Sequence, residues 1–364
     1  MKAAVLREIG KPLIIEELEI EPPREHEVGI KVAASGICHS DYSVAHGVLL
    51  SPLPVVLGHE AAGVVEAVGP GVSELEIGDH VIASLSPSCD RCVMCSENKP
   101  FLCSQMGKVL TESSMLDGTT RLRRGVDSVH QMAGIASFAE RAVIPAGAAI
   151  KIRKDVPLET VSLIGCGVTT GTGAALNTAK IEPGDSVAVV GCGGVGLSII
   201  QGARIAGASI IVAVDPIPEK RELALSLGAT HGVDPFAEDA PRAVRKITGL
   251  GAHHAFEALG KLETIEAAYK MLRPTGTAIV VGMPPVRESV PVRVGGLFLE
   301  KKITGSAYGS AVPRRDIPKF VDYYKQGVLK LDEMITKRIP LEAVNDAFEE
   351  MGRGEGARSV IVYD

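Results

Sequence analysis

The hydrophobic positions of the chain change their period once, near residue 156. Before that point, apolar and branched residues come in short runs: AAVLRE from Ala3, PLIIEELEI from Pro12 and EVGIKVAAS from Glu27, with punctuation at Gly10 and at Pro22-Pro23. Around Ile30, Val32 and Ala34 polar and apolar positions alternate, the period-two pattern of a strand with one buried face. GVVEAVG from Gly63 and DHVIAS from Asp79 continue it. With no long helical period in this part, a largely antiparallel, barrel-like domain is predicted.

From Val156 strands and helices alternate. A helix around Leu158 to Leu163 leads through Gly165-Cys166-Gly167 to a second helix from about Thr170 to Ala179. Further helices are expected near Glu219 to Leu227, Arg242 to Thr248 and Lys261 to Met271. Between them come strands near His231 to Val233, His254 to Glu257 and Thr277 to Gly282. Such alternation with short links predicts an α/β unit, a parallel sheet wound on both faces. After about residue 307, the helical stretch IPKFVDYYKQG and the strand SVIVYD return to the first domain, so the expected division is 1–165 with 307–364, and 166–306.

The second part is organised around Ser186 to Asp215. An apolar strand runs into Gly191-Cys192-Gly193-Gly194-Val195-Gly196, a helix follows, and a second strand ends on Asp215. Glycine at 191 suits a tight turn, at 193 a close approach to pyrophosphate, and at 196 tight packing of helix on strand, while the free N–H groups of the helix face the phosphates. An acid about 20 residues on accepts the ribose hydroxyls and repels a 2′-phosphate, so NAD is preferred to NADP. Arg204 and the glycines argue against a membrane-spanning helix here.

A chain of 364 residues is long for one core, in keeping with two domains. Its formal charge of −6 leaves no electrostatic footprint for nucleic acid or an anionic membrane and favours small-molecule chemistry. MKAAVLREIGK lacks the apolar core of a signal peptide, and a cytoplasmic location is expected. Seven cysteines in such a setting suggest ligands or catalytic groups more than disulfides. Cys192, inside the nucleotide turn, reads as a small buried apolar side chain.

Cys89, Cys92, Cys95 and Cys103 have the spacing CxxCxxCx7C, in a lobe of about residues 86–108. Four thiolates without histidine suit a closed tetrahedral zinc in a structural role. An iron–sulfur run has a shorter last gap followed by proline, whereas Ser104 follows Cys103; free thiols or disulfides are the other alternative. A zinc-ribbon module for nucleic acid is disfavoured by the acidic balance and the lack of basic and aromatic interleaving. Cys38 in GICHSD, His59 in GHE and Cys166 in GCGVTTG each lie beside glycine, but spacing alone does not link them.

Together, Gly58-His59-Glu60-Ala61-Ala62-Gly63, GICHSD, the four-cysteine lobe, GCGVTTG and the glycine turn resemble the motifs of the zinc-dependent medium-chain alcohol dehydrogenases, over nearly the whole chain. Among them the chain looks most like bacterial members acting on aryl or primary alcohols, some of which hold their nicotinamide permanently. Glutathione-dependent formaldehyde dehydrogenases are more distant. The resemblance implies a GroES-like β-rich catalytic domain, a Rossmann cofactor domain, and hydride transfer between a primary alcohol and NAD. It implies two zinc ions per chain: a catalytic one on Cys38, His59 and Cys166, a set long associated with alcohol dehydrogenase, and a structural one on Cys89, Cys92, Cys95 and Cys103.

It further implies that Glu60 sits behind the catalytic metal, that Asp41 accepts the other ring proton of His59, and that Ser40 hydrogen-bonds the substrate hydroxyl. His39, Thr170, Lys220 and Arg358 match positions facing the cofactor. Leu49, Leu85 and Met132 match pocket positions, aliphatic here, in keeping with a roomy apolar pocket. The usual proton-relay histidine falls on Ser43, with His46 nearby. A glutathione substrate would need cations such as Arg121, Arg123 and Arg124 at a pocket mouth. The family also implies a homodimer, with a tetramer in reserve, the segment from about Val292 to Ile303 being a candidate edge strand.

Overall fold

In the computed structural model, residues 1–284 and 287–364 are described. They form two compact units, Met1–Gly167 with Val312–Asp364, and Val168–Ala311. No helix among the described residues is long and apolar enough to cross a membrane.

The first unit is β-rich. Its central strand β1, Glu27–Gly36, is ten residues long and alternates buried and open positions over part of its length, as the period-two pattern predicts. It pairs antiparallel with Glu60–Val68 (β2), with Arg141–Pro145 and with the C-terminal strand Arg358–Val362. β2 in turn pairs with His80–Ala83 (β3). A second sheet runs in the order Ile14–Glu17, Lys2–Leu6, Val55–Val56, Asp127–Gln131, Leu122–Arg124, Glu19–Ile20. Ala4, Leu6, Ile30, Val32, Val65, Phe138 and Ile144 are among the side chains buried in one apolar core. A helix of seven residues, His39–Ala45 (α1), interrupts the strands; it is too short to show a helical period and starts on Cys38 as its cap.

The other unit is built on a parallel sheet of β4 (Ser186–Val190), β5 (Ile210–Val214), β6 (His231–Val233), β7 (Ala252–Glu257), β8 (Leu272–Val280) and β9 (Lys302–Gly305). The spatial order β6-β5-β4-β7-β8-β9, every pair parallel, is that of a dinucleotide-binding Rossmann sheet. Its order reverses beside β4, so the turn after β4 opens at the switch point where such sheets bind ligands. Helices α2 (Gly194–Ile205), α3 (Pro218–Leu227), α4 (Ala240–Thr248) and α5 (Leu262–Met271) connect successive strands. The helix expected from Thr170 to Ala179 is α-helical over Gly167–Gly173 and widens to a π-helix over Ala174–Ala179, a change of pitch that AALNTA does not signal.

In the first unit Arg121 is fully buried and donates to Glu27 and to Asp117, at 2.8 Å from Nε to Glu27 Oε2 and 2.8 Å from Nη2 to Asp117 Oδ2. Burial pushes the Asp117 carboxyl up, but hydrogen bonds from Arg121 and Thr119 outweigh it and hold the pKa at about 2. Arg123 and Arg124 pair on the surface with Glu21 and Glu16. Arg121→Ala leaves Glu27 buried without its cation and is expected to cost about 3 kcal/mol. Arg123→Ala should cost under about 1 kcal/mol, both read by denaturant unfolding. Because Asp117 is depressed in the folded state, its stabilising share is present above about pH 4 and is lost as pH falls towards about 2. An acid titration of the Asp117→Asn variant that superimposes on wild type over that window would exclude this role.

Candidate functional site

Asp41 is the third residue of α1, and its position follows from the cap: Oδ2 accepts the N–H of Cys38 at 2.9 Å, a capping box with cysteine in the capping place. The other oxygen, Oδ1, accepts the Gly58 N–H at 3.0 Å and lies 3.0 Å from His59 Nδ1. One buried carboxylate thus ties the turn carrying Cys38 to the turn carrying His59. With its proton on Nδ1 towards Asp41, the His59 ring aims Nε2 inward as a lone pair. His59 Nε2 is buried and, among the described residues, has no nitrogen or oxygen hydrogen-bond partner.

Around that nitrogen the fold gathers Cys38, Glu60 and Cys166, with one donor atom from each of the four residues within 4.8 Å of every other. Cys166 comes from the join between the 3-10 turn Ser162–Gly165 and the helix Gly167–Gly173. The Cys166 thiol, hydrogen-bonded to Cys38, holds Cys38 well below the usual thiol range, and the same bond pushes Cys166 well above it. Burial opposes a charge on His59, yet Asp41 and the Cys38 thiolate outweigh it and raise its pKa well above the ordinary value. The pocket therefore stabilises positive charge at its centre. Two sulfurs, an imidazole lone pair with no nitrogen or oxygen partner among the described residues and a surplus of negative charge fit a zinc ion with an open fourth place.

Glu60 opens β2 behind this set. Its Oε1 accepts the Gly167 N–H at 3.1 Å and its Oε2 the Arg358 guanidinium. Burial pushes its carboxyl up to about 7, against the opposing pull of Arg358. Gly36 and Gly167 leave room for the pair: a Cβ on Gly36 would run into Glu60 Oε2, and one on Gly167 into Arg358 Nη1. Arg358, expected on the cofactor side, is only 5% exposed and engaged with Glu60, while its Nε lacks a partner among the described residues. Neither this pairing nor the need for glycine at 36 carries a sequence signal. Ser40 is half-buried with Oγ 3.8 Å from Cys38 Sγ. His39 is exposed with Nδ1 3.4 Å from Ser43 Oγ, and His46 stacks on Tyr42 with centroids 3.9 Å apart. Leu49 and Leu85 are half-buried and Met132 buried against the first unit's core.

The second cluster joins Cys89, Cys92, Cys95 and Cys103, whose sulfurs also lie within 4.8 Å of one another. Cys92 caps the short helix Val93–Ser96, and Cys103 follows the 3-10 turn Pro100–Leu102. Backbone amides of Ser104 and Cys95 aimed at Cys92 bring its thiol down to about 5, while burial pushes Cys95 up to about 12. Four converging sulfurs with N–H donors at their backs fit a closed tetrathiolate zinc.

In the Rossmann unit Gly191 takes φ +92°, which the turn requires, and a Cβ on Gly196 would overlap the Gly191 carbonyl. Gly193 caps α2, and a Cβ built there meets nothing within 4 Å, so the backbone at the start of α2 can be approached closely. That cradle fits a pyrophosphate. Asp215 directly follows β5 and is 5% exposed, and Lys220 and Thr170 are half-buried. Cys192 is fully buried, as a small apolar filler would be, and burial pushes its thiol up. Arg121, Arg123 and Arg124, considered for a glutathione carboxylate, are each committed to acidic side chains of the first unit.

Residues 24–154 match the alcohol dehydrogenase GroES-like domain family, and residues 194–326 the zinc-binding dehydrogenase family. The chain is 40% identical, over 366 aligned residues, to an NDMA-dependent alcohol dehydrogenase of Amycolatopsis methanolica, covering 100% of this chain and 98% of that one. Among solved structures, an alcohol dehydrogenase zinc-binding domain protein from Burkholderia ambifaria superposes with a TM-score of 0.96 at 37% identity, covering 100% and 98% of the two chains. A benzyl alcohol dehydrogenase from Acinetobacter calcoaceticus gives 0.95 at 35% identity, covering 100% and 99%. With both motif sets in place and likeness along its full length, the chain belongs to the zinc-dependent medium-chain alcohol dehydrogenases and is an oxidoreductase acting on alcohols.

Proposed function

We infer that the chain interconverts primary alcohols, aryl or bulky apolar ones among them, with their aldehydes, using NAD and two zinc ions per chain. The observation that carries this is the buried His59 Nε2, which has no nitrogen or oxygen partner among the described residues and is gathered with the Cys38 and Cys166 sulfurs. A zinc ion held by Cys38, His59 and Cys166 supplies Lewis acidity to the substrate oxygen. The rest falls to the protein. The two cysteines supply the negative charge that holds the metal, and Asp41 fixes the His59 tautomer. Ser40 accepts the hydroxyl proton of the alcohol and passes it outward. Glu60, held by Arg358 and the Gly167 amide, backs the metal without having to leave its hydrogen bonds. Aliphatic Leu49, Leu85 and Met132 favour an apolar substrate, in keeping with a relative named for benzyl alcohol.

On the cofactor side, the amides after Gly193 are available to the pyrophosphate, with Gly191 and Gly196 shaping the turn. Asp215 is the acceptor for ribose hydroxyls, and His39, Thr170 and Lys220 are the remaining positions assigned to the dinucleotide. A second reading has the NAD retained through turnover and reoxidised in place by an external carbonyl or dye. It is favoured by the relative named as NDMA-dependent. For assembly, a homodimer through the edge of the Rossmann sheet is favoured: β9 is exposed along its whole length, and Leu297, Phe298, Leu299 and Ile303 before and within it are exposed apolar residues.

Elemental analysis of the purified protein should find two zinc per chain, and His59→Ala only one. Asp41→Asn should weaken the same zinc by about 10- to 100-fold, judged by competition with a chelator. Ser40→Ala should keep both ions while kcat falls about 100-fold. Full zinc content in His59→Ala would remove the proposed centre. The supernatant of denatured protein separates the two cofactor readings. One dinucleotide per chain with turnover only on an added acceptor marks retained NAD, whereas an empty supernatant with turnover on added NAD marks the exchanging enzyme. Light scattering should give twice the chain mass for wild type and a monomer for Ile303→Lys combined with Phe298→Lys; a monomeric wild type would rule the dimer out.

A further inference from the structure

His59 is held through its main chain as well as through its ring. Gly58, just before it, has φ +91°, and both peptide planes that meet at this glycine are clamped. In the first, the Leu57 carbonyl accepts the Phe138 N–H at 2.9 Å and the Gly58 N–H donates to Asp41 Oδ1 at 3.0 Å. In the second, the Gly58 carbonyl accepts the Ser137 N–H at 3.0 Å. A peptide unit is planar, so holding that carbonyl also sets the direction in which the chain enters His59. Ser137 stands against the glycine itself: a Cβ on Gly58 would lie 2.6 Å from its Oγ. Two other elements fix Ser137 in turn. Its Oγ lies 2.7 Å from the Oγ of Ser35 in β1, and its carbonyl accepts the Tyr363 hydroxyl at 2.8 Å. Ser35 and Ser137 are fully buried. Tyr363 directly follows the strand Arg358–Val362 and is tied to β1 by its own N–H, which donates to the Ala33 carbonyl at 3.0 Å. Burial, with Glu140 and Glu342 nearby, holds the Tyr363 phenol well above its usual range, so it stays a donor.

We propose that Ser137 is a positioning residue of the candidate zinc centre, orienting His59 through the Gly58 peptide, and that Ser35 and Tyr363 act through it. This rests on the reading that Cys38, His59 and Cys166 hold a zinc ion. The contacts run from Ser35 and Tyr363 to Ser137, from Ser137 to Gly58, and along the chain to His59. Asp41 fixes which nitrogen of His59 is bare, and Ser137 fixes where that nitrogen points. The last strand of the fold thus serves the centre twice, with Arg358 against Glu60 and Tyr363 against Ser137. Removing one hydroxyl of the Ser35–Ser137 pair leaves the other buried without it, so losing both should be no worse than losing one. If these groups only added stability, the two zinc sites of the unit would loosen together. If they position His59, the effect falls on the Cys38, His59 and Cys166 site alone.

The test is release of zinc from the full zinc-loaded chain to excess chelator, with His59→Ala showing which phase belongs to the four-cysteine lobe. Wild type is compared with Tyr363→Phe, Ser35→Ala, the double variant Ser35→Ala with Ser137→Ala, and a control, Val129→Ala, which truncates the apolar core of the same unit. Release from the Cys38 site should be about three- to tenfold faster in Tyr363→Phe and in Ser35→Ala, on the order of one neutral hydrogen bond. The double serine variant should be no faster than Ser35→Ala. Release from the four-cysteine lobe should not change, and Val129→Ala should leave both phases alone while lowering the denaturant midpoint. A second readout needs no metal: in chelated protein with isotope-labelled histidine, solvent exchange of the His59 Nδ1 proton should quicken in Tyr363→Phe and Ser35→Ala but not in Val129→Ala. Equal acceleration of both phases, acceleration matched by Val129→Ala, or no acceleration in either variant would overturn the proposal. Wild type that takes no zinc at the Cys38 site would sink the reading of that centre on its own. Proton exchange then decides the role of Ser137: faster exchange in the two variants than in Val129→Ala supports it, and equal exchange refutes it.

Discussion

One carboxylate, Asp41, holds the catalytic unit's chemistry in register. It accepts the Cys38 N–H, the Gly58 N–H and faces His59 Nδ1, all within 3.0 Å, in a place with no exposure to solvent. A buried charge costs several kcal/mol unless it is satisfied, so the arrangement persists only with all these donors in place. The consequence is geometric. Cys38 and His59 are 21 positions apart on different elements, and nothing in either segment alone would bring a sulfur and an imidazole nitrogen together. The carboxylate does so, and by accepting the Nδ1–H hydrogen bond it also decides that Nε2 is the bare nitrogen.

The second constraint is charge. Cys38, Cys166, Asp41 and Glu60 put four acidic groups in a buried volume, and among the described residues the Arg358 guanidinium stands directly against Glu60. Burial raises the Glu60 carboxyl to about 7 even so, while against burial Asp41 and Cys38 raise His59 and the Cys166 hydrogen bond lowers Cys38. A divalent ion would complete that balance where a proton would do so only in part, and in the proposed centre Arg358 would act through Glu60, whose carboxylate it pairs. Gly36 and Gly167 are the steric condition for this, since any side chain at either would push the pair apart.

What could be read from the residues alone follows the range of the interactions. The strand periods before residue 156, the helix–strand alternation after it and the CxxCxxCx7C run are local patterns, and the sheets and the sulfur cluster appear where those patterns lie. The linkage of Cys38, His59 and Cys166 is not local, and only the resemblance of several motifs at once joined them. Helix His39–Ala45 escaped the periodicity because two turns are too few to show one; its signal was chemical, an acid three residues after a capping side chain. Arg358 and Glu60 meet across 298 positions, and no spacing in the chain anticipates that contact. Arg121 shows the opposite error of local reading: in sequence it belongs to a basic run with Arg123 and Arg124, yet in the fold it is fully buried while its neighbours are exposed.

Asp215 repeats in the Rossmann unit what Asp41 does in the catalytic one. Each accepts two main-chain N–H groups from separate pieces of chain. Glu257, the last residue of β7, likewise takes the Leu259 and Gly260 amides and the Thr264 hydroxyl of the stretch that follows it. The recurrence has a physical cause. Turns rich in glycine expose amides that no helix or strand can satisfy, and a short carboxylate satisfies two at once at about 1.5–3 kcal/mol each. Such a residue is structural first, and its charge is then available for a second purpose, as Asp41 faces the Nδ1 of His59. These are charges that the turns themselves require, so substituting either aspartate frees the turn amides it holds.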